Sequence, residues 1–177
     1  MKLSLIKKRC LERGKFRILD TDRGGQWVGN GCAFWPVEGV RMDADAVPAL
    51  FDLSAKKLES VVIDEYDAPD WRWDMWFRDA DEALIEEGTV YWNGELFRVL
   101  RGGFGGVIIP ESALDPMKPG DDAQFYARGA GDSLLVACCA GMRCGALVAP
   151  MSARTAVLIM EAVDRIARVK LMERTEG

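Results

Sequence analysis

Hydrophobic and polar positions alternate along much of the chain, and this pattern predicts short strands joined by tight turns. The segment TVYWNGELFRVL at 89–100 is the clearest case, because Asn93-Gly94 fits the two-residue type I′ turn of a β-hairpin. Near the C-terminus, the apolar runs SLLVACCAG and RCGALVAP flank a turn at 141–143. These two runs predict a second hairpin.

An earlier hairpin is predicted over 15–37, with DRGG at 22–25 as its turn. The glycines at 29–31 favour a bulge in its second arm, because glycine within a strand often marks one. The glycine-rich RGGFGG at 101–106 lacks the spacing of a phosphate-binding loop and predicts a bend between two strands. Further single strands are expected at 60–66, 106–110 and 124–129.

Apolar residues at helical spacing predict four helices, over 3–13, 43–58, 79–88 and 152–172. Gly14 and Gly88 are expected to end the first and third of these, because glycine favours the left-handed conformation after a helix. Asp43 (or Asp45) and Ser152 are the expected N-caps of the second and fourth, and Ser54 could cap a second short turn of helix within 43–58. A strand start followed by a turn is the alternative for the first. A short helical turn is also expected at ESALDPM, 111–117.

These elements predict an α+β fold, in which antiparallel β-hairpins form a sheet packed against three or four helices. The long C-terminal helix is expected to cover one face of that sheet, and a mixed sheet is the alternative. A glycine, an apolar strand, a proline and a helical start recur in GCAFWPVEG, GGVIIPES and CGALVAPMS. We therefore expect a single domain over 1–177, or two diverged half-repeats at roughly 1–66 and 89–177.

Charge is distributed unevenly, although the net charge of −5 is mild. Residues 1–17 contain seven basic residues and one acidic residue, whereas residues 59–90 contain eleven acidic residues and two arginines. Such asymmetry can orient a partner or a second copy of the chain, and two solvated faces are the simpler interpretation.

The scarcity of some residue types excludes several kinds of catalytic and metal sites. The chain has no histidine, which excludes Ser-His-Asp and Cys-His nucleophile systems and histidine zinc sites. Its five cysteines are odd in number and are interpreted as free residues that pack as small hydrophobes. No metal and no cofactor are expected.

The N-terminus lacks the apolar centre of a signal peptide, and no window approaches the roughly 20 apolar residues that span a bilayer. We therefore expect a cytoplasmic protein without a membrane partner.

Basic residues on the first and last predicted helices are candidates for nucleic-acid binding. If the two helices shared a face, they would form a stripe that binds the phosphate backbone without reading bases. The candidates are Lys7, Lys8, Arg9, Arg13, Arg165, Arg168 and Lys170.

Aromatic residues in WRWDMWF at 71–77 are candidates for a protein interface, because interfaces favour tryptophan, methionine and arginine. Packing within the core is the alternative interpretation. The interface candidates are Trp71, Trp73, Trp76 and Phe77.

Acidic residues at 64–87 are crowded and could serve a carboxylate- or metal-dependent hydrolase. They show no recognisable ligand spacing, and those at the start of 79–88 would stabilise the dipole of a helix.

The run QWVGNGCAFWPVEGVRMDADAVPALFDL resembles the opening of uncharacterised small proteins of bacterial prophages and related mobile elements. The matching residues are Trp27, Gly31, Phe34, Pro36, Gly39, Leu50, Phe51 and Asp52. The later run CGALVAPMS resembles the end of the same proteins. Both runs are also similar, more faintly, to repeats of the DNA sliding clamp, and this resemblance implies a clamp-like fold near DNA without catalytic residues.

We therefore expect a non-enzymatic accessory or interaction protein, borne by a mobile element and associated with DNA in a clamp-like manner. Its partners would be another protein or a second copy of the chain, and the backbone of DNA. The alternative is a hydrolase that uses the acids of 64–87.

Overall fold

A computed structural model describes residues 2–21, 25–39, 41–67, 73–76, 81–117, 123–152, 154–159 and 161. Its helices are α1 (Leu3–Arg13), α2 (Val47–Leu50) and α3 (Ala55–Leu58). Two 3-10 helices span Glu111–Leu114 and Gly131–Ser133, and residues 154–159 are helical. The strands are β1 (Lys15–Asp20), β2 (Gln26–Gly29), β3 (Ala33–Val37), β4 (Val62–Asp67), β5 (Glu82–Trp92), β6 (Glu95–Gly102), β7 (Gly105–Pro110), β8 (Gln124–Arg128), β9 (Leu135–Ala140) and β10 (Arg143–Val148).

All ten strands belong to one mixed sheet, in the order β4-β1-β2-β3-β10-β9-β8-β5-β6-β7. Every neighbouring pair is antiparallel except β1 and β4, which run parallel. The parallel pair arises because the chain crosses over through α2 and α3 before it returns as β4. The predicted antiparallel sheet packed against three or four helices is therefore wrong.

The structure confirms one predicted helix and differs from the others. The helix over 3–13 is confirmed as α1, and Gly14 ends it with a φ of 62°. The single helix predicted over 43–58 is wrong: two helices of four residues each are separated at Asp52, whose φ is 45°. The second short turn of helix expected after Ser54 is confirmed as α3, with Ser54 at its N-cap position. A long helix over 152–172 is not shown: residues 154–159 and 161 are helical, and most of the other positions lie outside the described part of the chain.

Within the segment predicted as a helix over 79–88, residues 82–88 belong instead to β5, the longest described strand, and residues 79–80 lie outside the described part of the chain. Its Ala, Leu and Glu residues favour a helix locally, but helix propensity is weak and tertiary context overrides it. Here β5 pairs with β8 through Glu82–Leu84 on one side and with β6 on the other. Cross-strand hydrogen bonds to two neighbours therefore decide the conformation.

Residues 15–37 form three strands and not the two of a bulged hairpin. The predicted bulge at 29–31 is instead the start of a turn, in which Asn30 Oδ1 accepts hydrogen bonds from the backbone N–H groups of Cys32 and Ala33. Gly29 packs so closely against the returning strand that an added Cβ would lie 2.2 Å from Phe34 Cδ1.

Three predicted turns are confirmed. Asn93 and Gly94 join β5 to β6 with positive φ values of 49° and 83°, as a type I′ turn requires. Residues 103–104 join β6 to β7, and residues 141–142 join β9 to β10. Short-range turn chemistry is therefore a dependable guide in this sequence.

A curled sheet encloses the main core. The Nε1 of Trp35 on β3 donates a hydrogen bond of 2.8 Å to the carbonyl of Ala113, just after β7. Because β3 and β7 are six places apart in the strand order, the sheet must bend to bring them this close. Ile6 and Cys10 of α1 add to the same core, which includes residues from both of the predicted half-repeats.

The tight approach at Gly29 gives a direct test of this packing. We expect Gly29→Ala to lower the free energy of unfolding by about 2 kcal/mol, because the new Cβ overlaps Phe34 and overpacking costs this much. Urea-induced unfolding followed by circular dichroism measures the change.

Gly106→Ala is the matched control, because the nearest atom to its added Cβ is 3.8 Å away. We expect its free energy of unfolding to stay within about 1 kcal/mol of the unsubstituted protein, since alanine also restricts the unfolded chain. Equal losses for the two variants would contradict the proposed packing at Gly29.

Candidate functional site

The helix α1 is amphipathic: its inward face is apolar, and its outward face carries lysines. Ile6 and Cys10, one helical turn apart, are buried in the core. Lys7 and Lys8 therefore project away from the sheet, towards the segment that contains α3.

A groove of about 500 Å³ lies between α1 and α3. Leu11 of α1 and Leu58 of α3 both pack against the main core, and residues of both helices line the groove. The groove is lined by Ser4, Lys7, Lys8, Leu11, Glu12 and Lys57. We call it the basic groove, since three of these six residues are lysines.

Two contacts restrain the lysines of the basic groove. Lys7 Nζ donates a hydrogen bond of 2.8 Å to the carbonyl of Asp52, and Lys8 Nζ lies 3.9 Å from Glu12 Oε1. Lys57 is exposed and, in the part of the chain that the structure describes, forms no ion pair. The neighbouring Lys56 is also exposed, so the positive charge of this surface is open to solvent.

The other basic candidates do not line the groove. Arg9 turns towards the 3-10 helix and pairs with Glu12 and Asp115. Burial lowers the pKa of Arg9, but hydrogen bonds to Asp115 and Glu12 outweigh this and raise it overall. Arg13 is exposed at the end of α1. The remaining three candidates lie outside the described residues: Arg165, Arg168 and Lys170.

The described tryptophans of 71–77 have different environments. Trp73 is half-buried, with its ring 4.9 Å from that of Phe34 in an edge-to-face contact, and its carbonyl accepts a hydrogen bond from Trp27 Nε1. Trp76 is 58% exposed and forms a backbone bridge with Arg143 of β10. Trp71 and Phe77 lie outside the described residues. Trp73 thus packs within the structure, and Trp76 faces solvent.

Arg128 on β8 holds this tryptophan segment in place. The segment belongs to the connection between β4 and β5, which we call the crossover; its described residues are 73–76 and Asp81. The fully buried guanidinium of Arg128 donates to Asp81 Oδ2 at 2.9 Å and to the carbonyls of Asp74 and Trp76. The backbone N–H of Cys144 adds a 2.8 Å bond to the carbonyl of Met75.

The described acids of 64–87 are spread over separate contacts. Asp64 Oδ2 lies 3.7 Å from Arg17 Nε. Asp81 pairs with Arg128, and Glu86 pairs with Arg98, which lies on the inner face of β6. Glu82 accepts a hydrogen bond from the backbone of Gly103, and Glu87 pairs with Arg101. Within the described residues, no group of three or more acids or cysteines could hold a metal ion.

The cysteines are all free, and all except Cys32 are buried. Burial raises the pKa of Cys10 and of Cys138 to about 12. Cys139 and Cys144 face each other across β9 and β10; a hydrogen bond with Cys144 lowers the pKa of Cys139, and burial raises that of Cys144. The interpretation of the cysteines as free residues is confirmed.

A separate cavity of about 450 Å³ lies at one end of the curled sheet. Its lining residues come from the start of α1, the ends of β3 and β9, the start of β10, and the chain after the 3-10 helix at Glu111–Leu114. Sequence reasoning missed this cavity, and it also missed the contribution of Lys57 to the basic groove. Both depend on contacts between distant segments, for which the linear pattern carries no signal.

No family model, no curated protein and no solved structure matches this chain. Among the described residues, none of the helices has both the length and the apolar character needed to cross a membrane.

The buried ion pair leads to a prediction about stability. We expect Asp81→Asn to lower the free energy of unfolding by about 3–5 kcal/mol, because it removes a carboxylate that pairs with the fully buried guanidinium of Arg128. Urea-induced unfolding measures the loss. Glu87→Gln is the matched control: it removes an acid from an exposed pair with Arg101, and because solvent screens such a pair it should leave the free energy of unfolding nearly unchanged. Similar losses in both variants would refute a special role for Arg128.

The burial of the cysteines leads to a prediction about thiol reactivity. In the folded protein at pH 8, Ellman's reagent should modify Cys32 well before the four buried cysteines, and all five should react once guanidinium unfolds the chain. The Cys32→Ser variant should lose the fast phase. A fast phase that persists in this variant would show that a buried thiol is accessible.

Proposed function

We propose that this chain is a non-enzymatic accessory protein that binds the phosphate backbone of DNA through the basic groove. The observation that carries the proposal is the convergence of Lys7 and Lys8 with Lys57, which is almost fifty residues away in the sequence. Lysines neutralise phosphates and release counterions, which favours binding without base recognition.

The shape of the basic groove supports this role. Its lining contains one acid, Glu12, and that carboxylate lies close enough to Arg9, at 2.7 Å, for its charge to be offset. The lysines keep ammonium groups at the surface while their stems and Leu11 provide an apolar floor. A surface of this kind suits a flexible or a helical polyanion, and the resemblance to mobile-element proteins and to clamp repeats favours DNA.

A protein partner is a second part of the proposal, and Trp76 supports it. Arg128 and the backbone bridge to Arg143 fix the main chain of Trp76, while its side chain is left 58% exposed. Met142, beside Arg143 in the β9–β10 turn, is 70% exposed. Exposed tryptophan and methionine side chains of this kind are typical of interface anchors. The five free cysteines support a reducing compartment such as the cytoplasm.

DNA binding is tested with the anisotropy of a short dye-labelled duplex at several salt concentrations. We expect weak binding at low salt that falls steeply as salt increases, with equal affinity for duplexes of unrelated sequence. In the variant Lys8→Gln/Lys57→Gln, the slope of log affinity against log salt should become shallower by about 2, because two phosphate contacts are lost.

Arg41→Gln/Arg101→Gln is the matched control, because it removes the same charge from two exposed arginines outside the groove. Its salt slope should equal that of the unsubstituted protein. The proposal fails if the protein does not bind at low salt, or if both double variants lose affinity equally.

A further inference from the structure

The cavity at the end of the curled sheet has apolar walls that continue from the main core. Val37 belongs to that core and Met117 packs against it, and both line the cavity. Leu3, at the first position of α1, also lines it and is 44% exposed. Large apolar side chains thus border a space that is open to solvent.

Two small residues form the sheet side of this space. Ala140 on β9 and Gly145 on β10 line the cavity on the sheet side, and Gly145 lies at the bulge between Cys144 and Ala146. A Cβ on Gly145 would lie 2.9 Å from Met117 Cε, so the wall is already packed to contact there. The glycine at this bulge therefore accommodates the close approach of Met117 to β10.

One ion pair, between Arg143 and Glu38, stands at the edge of the cavity. Their side chains are 43% and 54% exposed, so the pair is worth at most about 1 kcal/mol and a ligand can replace it. Other arginines of this chain show that one guanidinium can bind two carboxylates. Arg9 binds Glu12 and Asp115, and Arg98 binds Glu86 and Glu111, so each holds two carboxylates.

Arg143, by contrast, binds one carboxylate in the part of the chain that is described. A guanidinium has five N–H donors in a planar fork that matches carboxylates. Arg143 therefore retains donors for a second carboxylate at the place where the apolar walls end.

We propose that this cavity binds an aliphatic carboxylic acid, with the chain against Leu3, Val37 and Met117 and the carboxylate on Arg143. A volume of about 450 Å³ is within the range of small-molecule sites, which are apolar with a few polar groups that fix orientation. This site is separate from the basic groove, so its test does not depend on DNA binding.

Titration calorimetry of the full chain with decanoate tests the proposal. We expect saturable binding, and weaker binding of decanol, which has the same chain without the carboxylate. Arg143→Gln should weaken decanoate binding by about tenfold or more, as expected when a charge-assisted hydrogen bond is lost. The Arg101→Gln variant is the matched control, because that arginine is also exposed and paired with a glutamate, and it should bind decanoate unchanged.

Glu38→Gln distinguishes ligand contact from a structural role. It removes the carboxylate that competes for Arg143, so it should tighten decanoate binding while leaving decanol unaffected. Ala140→Leu fills the cavity and should weaken both ligands. The inference is overturned if decanoate does not saturate the protein, if decanol binds as tightly, or if Glu38→Gln weakens decanoate binding.

Discussion

The guanidinium of Arg128, buried on the outer face of the sheet, connects β8 to the crossover between β4 and β5. The crossover leaves β4 at one edge of the sheet and must reach β5, seven places away. Arg128 on β8 lies near the end of that path, and an isolated charge there would cost several kcal/mol in lost hydration. The crossover supplies Asp81 and two backbone carbonyls as hydrogen-bond acceptors, so these contacts to the guanidinium form only when the crossover is in place.

Other features follow from this anchoring. With the crossover fixed, Trp73 covers Phe34 and Trp27 on the outer face. The inner face can then close on itself, with Trp35 bonded to Ala113 across the curl. The curl brings α1 beside the chain that follows β7, where Arg9 meets Asp115, and it forms the open end that contains the cavity.

Local chemistry in the sequence predicted some elements well. Asn93-Gly94 specifies its turn through backbone conformations that other residues avoid, and Ile6 and Cys10 specify which face of α1 is buried. The sequence predicted residues 89–92 of β5 as a hairpin arm, but it could not predict residues 82–88 as strand, because they favour a helix and only β6 and β8 make them part of the sheet. Likewise Lys7 and Lys8 could be singled out in the sequence, whereas Lys57 joins them only through the packing of Leu11 and Leu58.

The two ends of the strand order also bear on how the protein avoids unwanted association. Within the described residues, β4 has a neighbour on one side only, and three of its six residues are acids: Asp64, Glu65 and Asp67. An open strand is a template for another chain, and charged side chains along it oppose such pairing. At the opposite edge, β7 is partly covered by its own chain, since Met151 N–H donates to the carbonyl of Ile108. The acids that first suggested catalysis thus have a second consequence: they oppose the addition of another strand at this edge of the sheet.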